Sequence, residues 1–371
     1  LSTTDLRAPV LRLHASMKDL SEFFDLVSGL EEMRGAISAD SPDPVSVIAT
    51  TMSPILAGAS WRRQYYSFAI VQIYSTHERF IRDLVTVTTR LMKDLYSTYD
   101  SLPEVLKREH LTLTLKRLQD MAQVTPLDAV SLRNEIYDLV TCFDGIIALN
   151  EEAMAKHTSN FRSGTVRQVL SRLDFKLKDS AVDKEGFGEF PFGVLIGLYT
   201  TAESVLDDLA NRRNDVAHGS DSEIVDIDTL RAIAETVYRY DLWLFRTLAI
   251  YHLNGLVERE AAEVGTIDRS WLNSETGVRS IGRLADVSVT VRPGASAYMV
   301  KNGIHICTIK EIQVNQERVS EASSGAGPFA IDLGVAVKDG ALFKIIPSKL
   351  SKLERLLRDA VSEAKDVDLI V

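Results

Sequence analysis

Apolar residues recur at intervals of three and four along most of the first 260 positions, and the interval then shortens to two. The first rhythm is that of helices with one buried face, the second that of half-buried strands. "SEFFDLVSGLEEMRG" predicts an amphipathic helix with Ser21 as its N-cap. "DSPDPVS", residues 40–46, is rich in turn formers and predicts a break. A long helix is expected from Ile48 to Met92, with Tyr66, Ile70, Ile73, Tyr74, Phe80, Ile81 and Leu84 on its buried stripe. "SLPEVLKREHLTLTLKRLQDM" predicts a further helix, capped by Ser101 with Pro103 in its first turn. "LDAVSLRNEIYDLVTCF" and "SGTVRQVLSRLDF" predict two more. After "EFPFG", a helix is expected from Val194 to His218 on a stripe of Leu198, Ala202, Val205, Leu206 and Leu209, closed by Gly219. The last long helix is expected over Thr229–Leu256.

Beyond it, "DVSVTV" alternates, and Asn302-Gly303 and Asp339-Gly340 each stand between strand-like runs. Both dipeptides suit type I′ turns, so two hairpins are expected. "SKLSKLERLLRDAVSEA" predicts a closing amphipathic helix. The reading is mainly α: a helical domain over residues 1–262, a linker at 263–280, and a small β-rich (α+β) domain of hairpins plus a C-terminal helix over 281–371. A chain of 371 residues exceeds what one core usually holds, which agrees with two domains.

Composition is that of a globular protein, and the net charge of −10 argues against a surface coated in basic residues for indiscriminate nucleic-acid binding. Cys142 and Cys307 alone supply no disulfide framework and no zinc spacing. No apolar run reaches the ~20 residues a membrane helix needs, and the opening residues lack a signal-peptide core. A start at Leu1 rather than Met leaves room for a short lost leader. A cytoplasmic protein without membrane partners is the expectation.

Chemistry concentrates in "RRNDVAHG", residues 212–219. Arg212 has Asp208 one turn before it and Asp215 three residues after, so its charge can be neutralised locally. Arg213 has no carboxylate at either helical spacing. An unpaired guanidinium is a planar, permanently charged receiver for phosphate, and an imidazole suits proton transfer. Asn214 and His218 share a helix face, whereas Arg213 and His218 are about 140° apart around the axis. They cannot both face one small target from a straight helix: either the backbone bends near Gly219 or a second copy of the motif completes the site. Read by composition alone, the octet is a polar helix terminus.

Arg213-Asn214-x-x-x-His218 followed by Gly219 resembles the signature of the HEPN superfamily. "IVQIYSTHERFIRDLV" and "SNFRSGTVRQVLSRLDF" resemble two further segments of its microbial MAE-type ribonuclease branch, with Phe161 where an aliphatic residue is common. The resemblance covers about residues 45–250 and implies a HEPN-like helical bundle. It also implies a metal-independent endoribonuclease in a toxin or phage-defence system, working as a homodimer with two motifs facing one cleft. Under it, Arg213 holds the scissile phosphate, His218 transfers protons, and Asn214 orients the histidine or a phosphate oxygen. Glu78 and Arg212 are secondary candidates, Glu78 being equally readable as an ion pair with Arg82. RNA is the implied partner, and a regulatory or antitoxin protein is a further one. No metal and no cofactor are expected, because the attacking 2′-hydroxyl belongs to the substrate. The alternative is a non-catalytic HEPN-like module for dimerisation or nucleotide binding.

Lys156, Arg162, Arg167, Arg172, Lys176 and Lys178 lie close together with one acid, Asp174, among them. They read either as an RNA-backbone track or as a solvated helix face. His77, a lone histidine on an apolar helix, and Cys142 read as core residues. His305 and Cys307 alternate on one strand, too few to bind a metal.

Overall fold

The structure is a computed structural model and describes residues 6–36, 59–124, 128–177, 195, 197–219, 223–285, 290–301, 304–323, 328–346 and 351–363. Its helices are α1 (Ala8–Ala36), α2 (Ala59–Leu95), α3 (Glu104–Ala122), α4 (Ala129–Phe143), α5 (Glu151–Ala155), α6 (Ser163–Ser171), α7 (Ala202–His218) and α8 (Ile227–Glu260). Strands β1 (Ala262–Trp271), β2 (Ile281–Leu284), β3 (Ser296–Val300), β4 (Ile304–Thr308), β5 (Glu311–Val314), β6 (Glu317–Arg318), β7 (Phe329–Asp332) and β8 (Leu342–Ile345) follow, then α9 (Ser351–Glu363). The chain divides into two compact units, residues 1–248 with 360–371, and residues 249–359.

In the helical unit, α2 is the axis, packing against α1, α5, α6 and α7. Its buried positions, including Tyr66, Ile70, Ile73, Tyr74, His77, Ile81 and Leu84, follow the three-four rhythm. The predicted portion before residue 59 lies outside the described residues. On α1, Val10, Leu13, Met17, Leu20, Phe24 and Val27 are buried on one stripe. Ser21 lies inside α1 and caps nothing, since the stripe begins upstream of the residues that suggested a start. Ser101 belongs to a short 3-10 turn, and Pro103 itself takes the N-cap position of α3.

The expected start of α7 at Val194 is also corrected. The helix begins at Ala202, where Thr201 caps the Ser204 N–H, and Leu198 is exposed rather than part of the stripe. Gly197, with φ +86°, interrupts the expected helix just before Leu198. Gly219 ends α7 as expected, in the left-handed conformation, donating to Asp215 and Val216. "DSPDPVS" and "EFPFG" lie outside the described residues.

The second unit is built on an antiparallel sheet in the order β4-β3-β8-β1-β2-β7-β5-β6, with Val264, Ile267, Met299, Phe329, Ile331 and Phe343 in its core. Two expectations fail here. The first half of the supposed linker, 263–280, is strand β1, which pairs with β8 early and with β2 late. Bulges between Glu263 and Gly265, and between Ile267 and Arg269, shift its buried positions to Val264, Ile267 and Ser270, a spacing of three that hides a strand from a period-two reading. Asp339-Gly340 closes no hairpin. β7 pairs with β2 and β5, β8 with β1 and β3, and the Gly340 N–H is donated to Ile267 O at 2.7 Å. The β3–β4 hairpin does form, Val300 facing Ile304, with Asn302-Gly303 outside the described residues. α9 packs its Glu354 against Tyr298, whose hydroxyl donates to the carboxylate at 2.6 Å.

Candidate functional site

α7 remains helical through His218, so the backbone does not bend to bring Arg213 and His218 onto one face. His218 is exposed and Arg213 and Asn214 are half-buried. The Arg213 guanidinium sits over the Tyr74 ring of α2, 5.3 Å from its centroid, and its Nη1 lies 3.4 Å from the Asn214 side-chain oxygen. Among the described residues no carboxylate pairs with it. That matches the local spacing: Leu209, Ala210, Val216 and Ala217 occupy its helical neighbour positions.

Arg212 behaves differently. Its Nε donates to Asp208 at 2.5 Å, and its Nη1 donates to Tyr66 Oη at 3.0 Å and to Glu223 O at 2.9 Å. Desolvation works against its charge, and the bonds to Asp208 and Tyr66 outweigh it and raise its pKa. This secondary candidate is a clamp between α7, α2 and the following loop.

Asn214 does not orient His218, despite sharing its face. Its Oδ1 accepts from Asn160 Nδ2 at 2.7 Å. Asn160 Oδ1 accepts in turn from Tyr74 Oη at 3.4 Å, and Tyr74 Oη accepts the Phe161 N–H at 2.9 Å. The segment between α5 and α6 is thus sewn to both α2 and α7. Burial raises the Tyr74 pKa, and Glu78 adds to it; the Phe161 N–H, Arg213 and Arg162 oppose. The phenol stays neutral and can donate.

Glu78, one turn beyond Tyr74, accepts from Arg82 Nη2 at 3.0 Å, the ion pair its spacing suggested, and its Oε1 also lies 3.7 Å from His157 Nε2. The His157 ring packs, tilted, against Phe161 at 3.7 Å between centroids. Arg162 donates to Asn211 Oδ1 at 2.6 Å, and Asp207 accepts from the Ser163 N–H at 2.8 Å at the start of α6.

Half of the expected basic track is spent internally. Arg167 pairs with Glu203 at 2.5 Å. Arg172 Nη1 donates to the Met154 and Lys156 carbonyls at 2.8 and 2.7 Å, and burial lowers its pKa. Lys156 pairs with Asp120 at 2.5 Å. Arg162 and the exposed Lys176 have no acid partner among the described residues, and Lys178 lies outside them. Carboxylates from α3 and α7 thus neutralise Lys156 and Arg167 within the chain.

His77 is fully buried, its Nδ1 2.8 Å from Asp241 Oδ1 of α8. Burial pushes the Asp241 carboxyl up to about 6, against the pull of His77. Cys142 and Cys307 are core residues, bonded to the Ala148 and Ala297 carbonyls. His305 is exposed while Cys307 is buried, and among the described residues no three His, Cys, Asp or Glu side chains gather as a metal site. No described helix is long and apolar enough to cross a membrane.

Sequence reasoning assigned no role to Asn160, His157 or Asp207. Their contacts with α2 and α7 lie between 44 and 86 positions away, so local spacing held no signal for those contacts. Asn160 falls inside the quoted segment "SNFRSG", which was its one available sign. Comparison with known proteins matches residues 15–248 to a family described as MAE_28990-like HEPN. No curated protein matches the chain.

Proposed function

The chain belongs to the MAE_28990-like HEPN family, and from that premise we propose that it is a metal-independent endoribonuclease whose site is formed around Arg213 and His218. The observation that carries the reading is the state of Arg213. Its guanidinium is held over Tyr74 without a carboxylate partner among the described residues, on the same helix as an exposed His218. A charge presented this way is available for a phosphate diester.

In the proposed reaction, an imidazole removes the proton from a ribose 2′-hydroxyl. The 2′-oxygen bonds to the adjacent phosphorus, the bond from phosphorus to the 5′-oxygen breaks, and a second acid protonates that oxygen. The products are a 2′,3′-cyclic phosphate and a 5′-hydroxyl. Arg213 stabilises the charge that builds on the phosphorane. Because Arg213 and His218 diverge around a regular helix, two chains with facing motifs supply the two imidazoles, one as base and one as acid. Asn214 and Asn160 are positioning residues that fix the end of α7. A toxin or phage-defence setting, restrained by a regulatory or antitoxin protein, is the proposed context.

The second reading, a non-catalytic nucleotide-binding or dimerisation module, draws on Arg212 and Asn214 being engaged within the chain. Incubating labelled RNA with the protein in EDTA separates the two. Cleavage to cyclic-phosphate ends that disappears in His218→Ala supports the nuclease, and cleavage that persists in that variant refutes the assigned role.

A further inference from the structure

α4 carries its apolar residues on the wrong side for a helix that ends its packing within this chain. Its inward face is narrow: Leu139 and Cys142 are buried, and beside them Glu135 accepts from Arg117 and Asn150. The outward face holds Val130, Ile136, Tyr137, Val140 and Phe143, with Ile146 just beyond, each between 45% and 70% exposed. An exposed apolar face of this width is normally covered.

The charges on that face narrow the choice of cover. Arg133 and Asp144 are its two ionic groups, both exposed, with no ion-pair partner among the described residues. At about 100° per residue, Val140 and Asp144 lie within about 20° of Arg133 around the axis, and Tyr137 within about 40°. Asp144 follows the spiral, its N–H still donating to Val140 O at 3.3 Å. Along the axis, Arg133 and Asp144 are equidistant from a point between residues 138 and 139, and so are Tyr137 and Val140.

We propose that this face is an interface between two copies of the chain, packed with their α4 helices antiparallel about a two-fold axis at that point. Arg133 then meets Asp144 of the partner subunit, twice by symmetry, and Tyr137 packs on Val140 of the partner subunit. An isologous contact requires such self-complementarity. The exposed side chains offer on the order of 600 Å² per copy, close to the ~800 Å² that a stable interface takes from each partner. This proposal stands apart from the nuclease reading, since none of its residues belongs to the octet.

Sedimentation of the full chain at micromolar concentration tests it. The unaltered protein is expected at twice 41.2 kDa through this contact alone, or at four times 41.2 kDa where the facing-octet contact of the proposed nuclease forms as well, and the single variants are expected to halve whichever is found. Arg133→Glu alone and Asp144→Arg alone each set like charges against each other and should raise the dissociation constant about 100-fold or more. The double variant Arg133→Glu/Asp144→Arg restores both pairs and should return the dimer, which a folding defect could not do. A monomeric unaltered protein, pointing to a different protein as the cover, overturns the proposal. So does an unaltered mass that the single variants leave unchanged, or a double variant that stays dissociated. RNA cleavage is not the readout, so loss of the nuclease reading leaves this result intact.

Discussion

His110 offers a test of how the segment behind the site is held. It is fully buried on α3, and its Nε2 accepts the Asn150 N–H at 3.0 Å, at the start of α5. A nitrogen that accepts carries no proton, so the proton sits on Nδ1, 3.2 Å from Tyr99 Oη. Protonating the ring would set an N–H against the Asn150 N–H in a buried site. Burial accordingly lowers the His110 pKa from 6.5 to about 4. The sign follows: between about 4 and 6.5 the unfolded chain binds a proton at this residue that the folded chain does not. Its contribution to stability is therefore complete above pH 6.5 and is lost as pH falls through about 4. The gap between those values corresponds to about 3 kcal/mol, at ~1.36 kcal/mol per pH unit. Substituting His110→Gln keeps an acceptor near Asn150 and removes the titration. Denaturant unfolding, followed from pH 7.5 to pH 4, should show the unaltered protein losing about 3 kcal/mol more than the variant, over and above losses from other groups common to both. Parallel pH profiles for the two proteins would refute the argument that the Asn150 N–H keeps this ring neutral.

Arg213→Lys keeps the charge but loses the fork over Tyr74, and should cut RNA cleavage about 100-fold or more while the melting temperature holds; undiminished cleavage counts against the phosphate role. Asn160→Ala and Asn214→Ala, alone and combined, should show a coupling of about 1 kcal/mol in unfolding, the size of one hydrogen bond, and strict additivity would show that the 2.7 Å contact contributes nothing. Arg162→Ala should lower the salt dependence of RNA binding by about one counterion, whereas Arg167→Ala, already paired with Glu203, should leave that slope alone and lower stability instead; equal slopes for both variants would contradict the pairing. Gly219→Ala should destabilise by about 1 kcal/mol because φ is +66° there, and an unchanged unfolding midpoint would remove the cap from the account.

The sequence by itself determined what short-range physics controls. A stripe of apolar residues at helical spacing buries itself wherever it packs, so α2 and the body of α7 were legible, as was the Gly219 cap, where only a residue without Cβ turns left-handed cheaply. The neutralisation of Arg212 by Asp208, and the lack of any such partner for Arg213, were also local, being set by one turn of helix. Tertiary structure alone decided the rest. β1 was hidden because two bulges broke its alternation, and Asp339-Gly340 misled because a turn dipeptide does not fix which strands pair. Within the basic run between Lys156 and Lys178, Asp120 and Glu203 arrived from other helices to neutralise Lys156 and Arg167. Asn214 was claimed by Asn160, 54 positions away. Charges and amides are matched by distance in space, and only the packed chain sets that distance.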